Sequence, residues 1–408
     1  MNARLLLFMC FAASLAAQAS DQERAFELNE KAVAAAAAGK LDAAVDLLEQ
    51  ARRIDGTTAA LRTNLGMLLV QRAQAHLGAG RSVVAEADAR RALELIPGEA
   101  AAVAQLMELL RRRGELAAAR RLVPESGSDA ASDARVLSAY AQLAYDEDAL
   151  DECVATATAA IAAPNAALLI DTKGLGRLLA RWKNEAESER GFLREASACF
   201  VVKHQSSAER ARAQEVLQAA LKTATELEMA LGERPQRALV IVLLPRESYL
   251  RTTGAQEWSG GLFDGRVRIP LERREHEADE LRRTLKHEMV HWFVRTLAPG
   301  CPTWLNEGLA QQHEARSTQA PPLRKADIKK PLRDAPKEWN LLQDRTEVEL
   351  LYRHALGFTA WLLQQHGDGA VRTLFQSLRE QHSFEASFAR AFGMAQDEAE
   401  RSWLATLR

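Results

Sequence analysis

His287-Glu288-Met289-Val290-His291 and, sixteen positions beyond its last histidine, Glu307 within Thr303-Trp304-Leu305-Asn306-Glu307-Gly308-Leu309-Ala310 form the stretch on which the reading of this chain turns. Leu285, Met289, Trp292 and Phe293 recur at helical spacing and predict the apolar face of a helix over about 278–297, stopped by Pro299-Gly300. Histidines at i and i+4 stack on one face of such a helix, close enough to reach a single ion. Glu288 is turned about 100° away, toward the water that such an ion activates. A third, carboxylate ligand would leave the fourth coordination position open, the layout of a catalytic zinc site and not of a closed structural one. Thr303 is the expected cap of the next helix, which places Glu307 near its start and facing the first helix if the two pack as an antiparallel pair.

Trp304-Leu305-Asn306-Glu307-Gly308-Leu309-Ala310 resembles the WLNEG-type segment with which gluzincin zinc metallopeptidases (HExxH…E) supply their third ligand, and the likeness covers roughly residues 196–408. By that resemblance His287, His291 and Glu307 match the metal ligands and Glu288 matches the general base. The resemblance also implies an oxyanion donor on the helix after a lid region, for which Tyr352 is the candidate and His354 the fallback. It implies as well an edge strand that lines the cleft and pairs with extended substrate, here Arg266, Val267, Arg268 and Ile269 continuing to Leu271, although a plain structural hairpin reads equally well. Two departures stand out. The GxMEN signature of zinc aminopeptidases is missing upstream, and Gln311 occupies the position where thermolysin-like enzymes carry a carboxylate. His313 and Glu314, two turns past Glu307, are competing ligands only if their helix packs differently.

The fold class that follows is α+β and mostly helical, with a small mixed sheet in the second half. Cys199–Lys203 and Ala238–Leu244 are short β-branched runs on either side of a long helix over about 208–231, and Gly260–Leu271 reads as a hairpin turning at Asp264-Gly265. A polar, proline-punctuated stretch over 317–340 is either a lid or a solvated insertion. Residues 347–407 return to helix, with Trp361, Phe375, Phe384, Phe388, Phe392 and Trp403 as expected core.

The first half reads differently. Residues 1–19 fit a secretory signal peptide, with Arg4, an apolar run from Leu5 to Ala17 and a small-residue cleavage site at Ala17-Gln18-Ala19. Export to a periplasmic or extracellular location follows, and lipid anchoring at Cys10 is the lesser alternative. Over 20–125, Gly39, Gly80 and Gly114 each open a helix with small residues, at steps of 41 and 34 residues, the second being the tetratricopeptide period. A tetratricopeptide-like α-solenoid is expected there, continued by helices over 126–195, with the catalytic domain at 196–408. Its groove either holds a protein or peptide partner or is a plain scaffold.

With 53 basic and 55 acidic residues, the chain has no nucleic-acid footprint. No stretch is long enough to span a bilayer. Cys153, Cys199 and Cys301 make an odd set without CxxC spacing, so no disulfide framework follows. The reading is an exported zinc metallopeptidase, a hydrolase that takes peptide or protein substrates, fused behind repeats. The alternative is an inactive peptidase-like adaptor that only binds peptides or partner proteins.

Overall fold

The computed structural model describes residues 3–79, 81–164, 166–254, 260–271, 277–298, 300–314, 323–336, 339, 342, 344–380 and 383–407, without the side chains of 3–19 and 277–278. Gly80, all side chains of the expected signal segment 1–19, and 317–322, 337, 338 and 340 of the proline-punctuated stretch therefore lie outside the described residues. The chain is mostly helical α+β and divides into two compact units, Met1–Arg111 with Leu116–Leu179, and Arg112–Glu115 with Ala180–Arg408.

The first unit is all helix: α1 (Ala3–Ala37), α2 (Leu41–Ile54), α3 (Ala59–Gly78), α4 (Ser82–Leu95), α5 (Ala100–Arg112), α6 (Leu116–Arg120), α7 (Ala134–Asp146), α8 (Leu150–Ala162) and α9 (Ala166–Leu169). Gly39, at φ 74°, ends α1 in the left-handed conformation that closes a Schellman-type turn, with Gly39 N–H donating to Ala36 O and Lys40 N–H to Ala35 O. Buried alanines at 44, 51, 73, 85, 89 and 92 let neighbouring helices approach closely. Polar contacts between alternate helices recur at one interval: Asn64 to Asn29, Gln105 to the Val70 carbonyl, and Arg111 to Asp146 each span 35 residues. A constant offset between contacting residues is the mark of stacked helical hairpins, so this region fits repeats.

The second unit takes the latter part of α10 (Thr172–Ser188) and continues with β1 (Leu193–Ala196), β2 (Phe200–His204), α11 (Arg210–Leu231), β3 (Leu239–Pro245), α12 (Arg246–Thr253), β4 (Leu262–Phe263), β5 (Val267–Leu271), α13 (Glu277–Leu297), α14 (Thr303–Glu314), α15 (Arg345–Arg379), α16 (Phe384–Phe392) and α17 (Gln396–Leu404). The five strands form one mixed sheet in the order β1-β2-β3-β5-β4, in which β2, β3 and β5 are parallel and β1 and β4 antiparallel to their neighbours. The run Leu239-Val240-Ile241-Val242-Leu243-Leu244 is apolar at every position because β3 is covered on both faces.

The period-2 alternation sorts the rest. Phe200, Val202, Leu239, Ile241, Leu243, Val267 and Ile269 join the main core with α11 and α13, where Phe200 meets Trp292 edge-on at 5.6 Å. On the opposite face Arg266 and Arg268, 0% and 1% exposed, meet carboxylates of α10 and its exit turn. Arg266 pairs with Glu189 at 2.8 Å, Arg268 with Glu185 at 2.8 Å and Asp264 at 2.5 Å, and Lys203 with Glu189 at 2.5 Å.

Because Glu189 serves two buried cations, Glu189→Ala should cost about 3–5 kcal/mol of stability in urea unfolding. A loss below about 1 kcal/mol, the level of solvated surface pairs, would show that water reaches this cluster.

Candidate metal centre

Three helices build the site. α13 packs its Leu285, Met289, Trp292 and Phe293 face into the core, which leaves His287 and His291 on the side where α14 lies. α14 packs back against α13 and brings Glu307, in its second turn, to the histidine pair. α14 in turn sits against α15, with Trp304 stacked on Phe358 at 5.1 Å. A methyl built on Gly308 would lie 2.1 Å from Thr359 Oγ1 and 2.7 Å from the Ala355 carbonyl, so only glycine after Glu307 allows this approach.

Nε2 of His287 and Nε2 of His291 lie 3.6 and 3.7 Å from the same Glu307 oxygen, Oε2. These separations are too long for good hydrogen bonds. They suit a shared cation, since donors 2.0–2.1 Å from a tetrahedral ion stand about 3.3 Å apart. Among the described residues these three are the one group whose metal-ligating atoms all lie within 4.8 Å of one another. Each imidazole is fixed from behind. His291 Nδ1 donates to Asn306 Oδ1 at 2.9 Å and His287 Nδ1 donates to Glu314 Oε2 at 3.1 Å, which leaves both Nε2 atoms facing Glu307.

The electrostatics are those of buried acids gathered round two bases. Desolvation works to lower the pKa of His287, but the Glu307 and Glu314 carboxylates beside its ring and the charge of Glu288 outweigh it and raise the value to about 10. Desolvation opposes ionisation of Glu307 too, yet His291, His287 and the Tyr352 hydroxyl hold its carboxyl below the ordinary range. Glu288, 6% exposed, is pushed up by burial and by the charges of Glu307 and Glu314, against the two histidines. Tyr352 is pushed up by burial and by the nearby charges of Glu307 and Glu288, so its phenol stays neutral.

Other expected positions fall elsewhere. β5 lies between β3 and β4, so Arg266, Val267, Arg268 and Ile269 are interior residues and line no cleft: the arginines are spent on Glu185 and Glu189, the apolar pair on the core. The outer position next to α13 belongs to β4 and the glycines before it. A methyl on Gly261 would lie 2.9 Å from Glu288 Oε1 and 2.6 Å from Thr284 Cγ2, so the bare backbone abuts the glutamate. The paired glycines at 260–261 were the available signal. His354 stacks on Trp403 and pairs with Glu400 at 2.9 Å, which removes it from the site. His313 faces Lys286, Glu226 and Asp368. Burial pushes the Cys301 thiol well up, away from thiolate chemistry. The stretch before α15 is anchored, since Leu332 and Trp339 are both 2% exposed and Glu400 accepts the Leu332 N–H at 3.0 Å.

Residues 211–402 match the model of a family described as "Peptidase of plants and bacteria", a span that opens with α11 and closes in α17. The second unit thus carries a peptidase-like domain. No curated protein matches the chain.

Gly308→Ala should lower stability by about 1–3 kcal/mol through overpacking between α14 and α15. An unchanged urea midpoint would mean that the two helices do not meet at this glycine.

Proposed function

We propose that the second unit is a gluzincin-type zinc peptidase within an exported protein whose helical repeats bind a protein or peptide partner. The observation that carries the reading is the convergence of His287, His291 and Glu307 on one point beside a desolvated Glu288. Two imidazole nitrogens and one carboxylate oxygen form a donor set that suits zinc and leaves room for a fourth ligand. Bound zinc supplies Lewis acidity, lowering the pKa of a water molecule and polarising a peptide carbonyl.

The protein's own residues do the rest. Glu288 takes the proton of the attacking water and passes it to the departing amine nitrogen. Burial, which raises its pKa, makes it a stronger base for that transfer. The Tyr352 hydroxyl, neutral and directed into the site, donates to the oxyanion as it forms. Asn306 and Glu314 hold the ligating histidines in one tautomer and orientation. The backbone at Gly260-Gly261, on the outer side of β5 and against Glu288, is where an extended peptide chain comes closest to the base.

Metal analysis of the purified mature protein, with digestion of a diverse peptide library, tests site and activity together. Glu288→Gln should lower kcat by about 10²–10⁴-fold and keep its zinc. Unchanged turnover would remove Glu288 as the base. Glu307→Ala should lose zinc as well as activity, and a zinc content equal to wild type would require a different third ligand. Zinc affinity should also fall on acidification. His287 holds its proton up to about pH 10, so across the neutral range the ion must displace that proton, and each step down in pH favours the proton. A Kd for zinc that stays flat between pH 8 and 6, both values on the order of ordinary assay conditions, would contradict that competition.

A further inference from the structure

Gln311 stands one helical turn beyond Glu307, and its surroundings admit only a hydrogen-bond donor. Its Nε2 donates to the Tyr352 carbonyl at 3.0 Å, across 41 residues of sequence, and to the Glu307 carbonyl at 3.3 Å on its own helix. An amide nitrogen carries two donor hydrogens and a carboxylate carries none, so an acid here would face two acceptors. The service a carboxylate might render to His287 is already rendered by Glu314, which lies seven residues past Glu307 and therefore on the same helix face. Gln311 is thereby left to join α14, which carries Glu307, to α15, which carries Tyr352.

Tyr352 is held at a further point, where its ring meets Trp339 edge-on at 5.2 Å and 85°. Trp339 is itself fixed by Nε1–H donation to the Pro336 carbonyl at 2.8 Å. A tyrosine has only two side-chain torsions, so once its backbone and ring plane are set, the position of its oxygen is set. The contact from Gln311 ties the Tyr352 carbonyl itself to the helix bearing Glu307.

The geometry points to Gln311 as a positioning residue for Tyr352, whose backbone it ties to the helix that carries Glu307. This rests on the peptidase reading for its kinetic consequence but not for its structural one, and the two can be tested apart.

Gln311→Met keeps the length of the side chain and removes both donors. In steady-state hydrolysis it should lower kcat roughly tenfold, short of the ~10²-fold that a 1 Å misplacement brings, with KM and zinc content unchanged. Placed on Tyr352→Phe, the same change should cost less than about twofold, because the group it positions is gone. Equal losses on both backgrounds would overturn the proposal, since Gln311 would then act independently of Tyr352. The second measurement needs no activity. With 3-fluorotyrosine incorporated, the four tyrosines should give four ¹⁹F signals, and the one lost in Tyr352→Phe reports on Tyr352. Gln311→Met should move that signal and leave the other three, which also certify folding. An unmoved signal would overturn the proposal even if the wild-type protein hydrolyses nothing. A moved signal in an inactive wild type would instead retain the positioning role and reject the peptidase reading.

Discussion

Three acids, Glu288, Glu307 and Glu314, share one desolvated space with two imidazoles, and most of the second unit can be understood as the means of keeping them there. Glu288 and Glu314 are 6% and 7% exposed. Carboxylates so placed repel one another and resist ionisation unless positive charge or donors are provided. Each acid has a separate answer. Glu314 accepts from His287 Nδ1, Glu307 is faced by both Nε2 atoms and the Tyr352 hydroxyl, and Glu288 keeps a raised pKa. A divalent ion between the imidazoles and Glu307 fits this balance of charge, which is the physical content of the zinc proposal. The arrangement is costly to assemble, and it is held by a core in which Trp292, Phe293, Trp304, Phe358 and Trp403 are all buried.

The site was legible in the sequence to the extent that helical periodicity reaches. Residues at i and i+4 share a face whatever the tertiary fold, so His287 and His291 could be paired from spacing alone, and the apolar set at 285, 289, 292 and 293 told which side of the helix faced the core. The same rule, carried seven residues past Glu307, reaches Glu314. It was read there as a competing ligand, whereas it orients His287. The mixed sheet and the strands at 200–204, 239–245 and 267–271 followed from β-branched runs and the Asp264-Gly265 turn. β1, at Leu193–Ala196, was not legible, because Leu-Arg-Glu-Ala has neither β-branched residues nor an apolar face.

Strand order and long-range charge pairing left no local trace, and of the two readings of Arg266–Ile269, cleft strand or plain hairpin, their burial agrees better with the second. Alternating arginine and aliphatic residues describe a strand with one face in the core and the other at water, and such a strand suits a cleft. The carboxylates that neutralise the arginines, Glu185 and Glu189, precede them by about 80 residues and sit on a helix whose own pattern does not announce a buried acidic face. The edge position was consequently assigned one strand too far along. β4 is only two residues long, and its mark is the Gly260-Gly261 pair, whose missing side chains read as flexibility unless the neighbouring Glu288 is known.

The candidate ligands and Tyr352 are borne by three separate helices, so their mutual geometry is a packing outcome. α13 is located by its aromatic contact with the sheet, α14 by the close approach at Gly308, and α15 by Trp304 on Phe358 and by the Glu400 contacts that tie His354 and Leu332 together. Side chains carried on packed helices hold position better than those on loops, because displacing one means repacking a core that is as dense as an organic crystal. The connecting stretches can then vary without moving the histidines. Among the described residues off the three helices, those nearest the candidate site accordingly offer backbone, at Gly260-Gly261, or an aromatic edge, at Trp339.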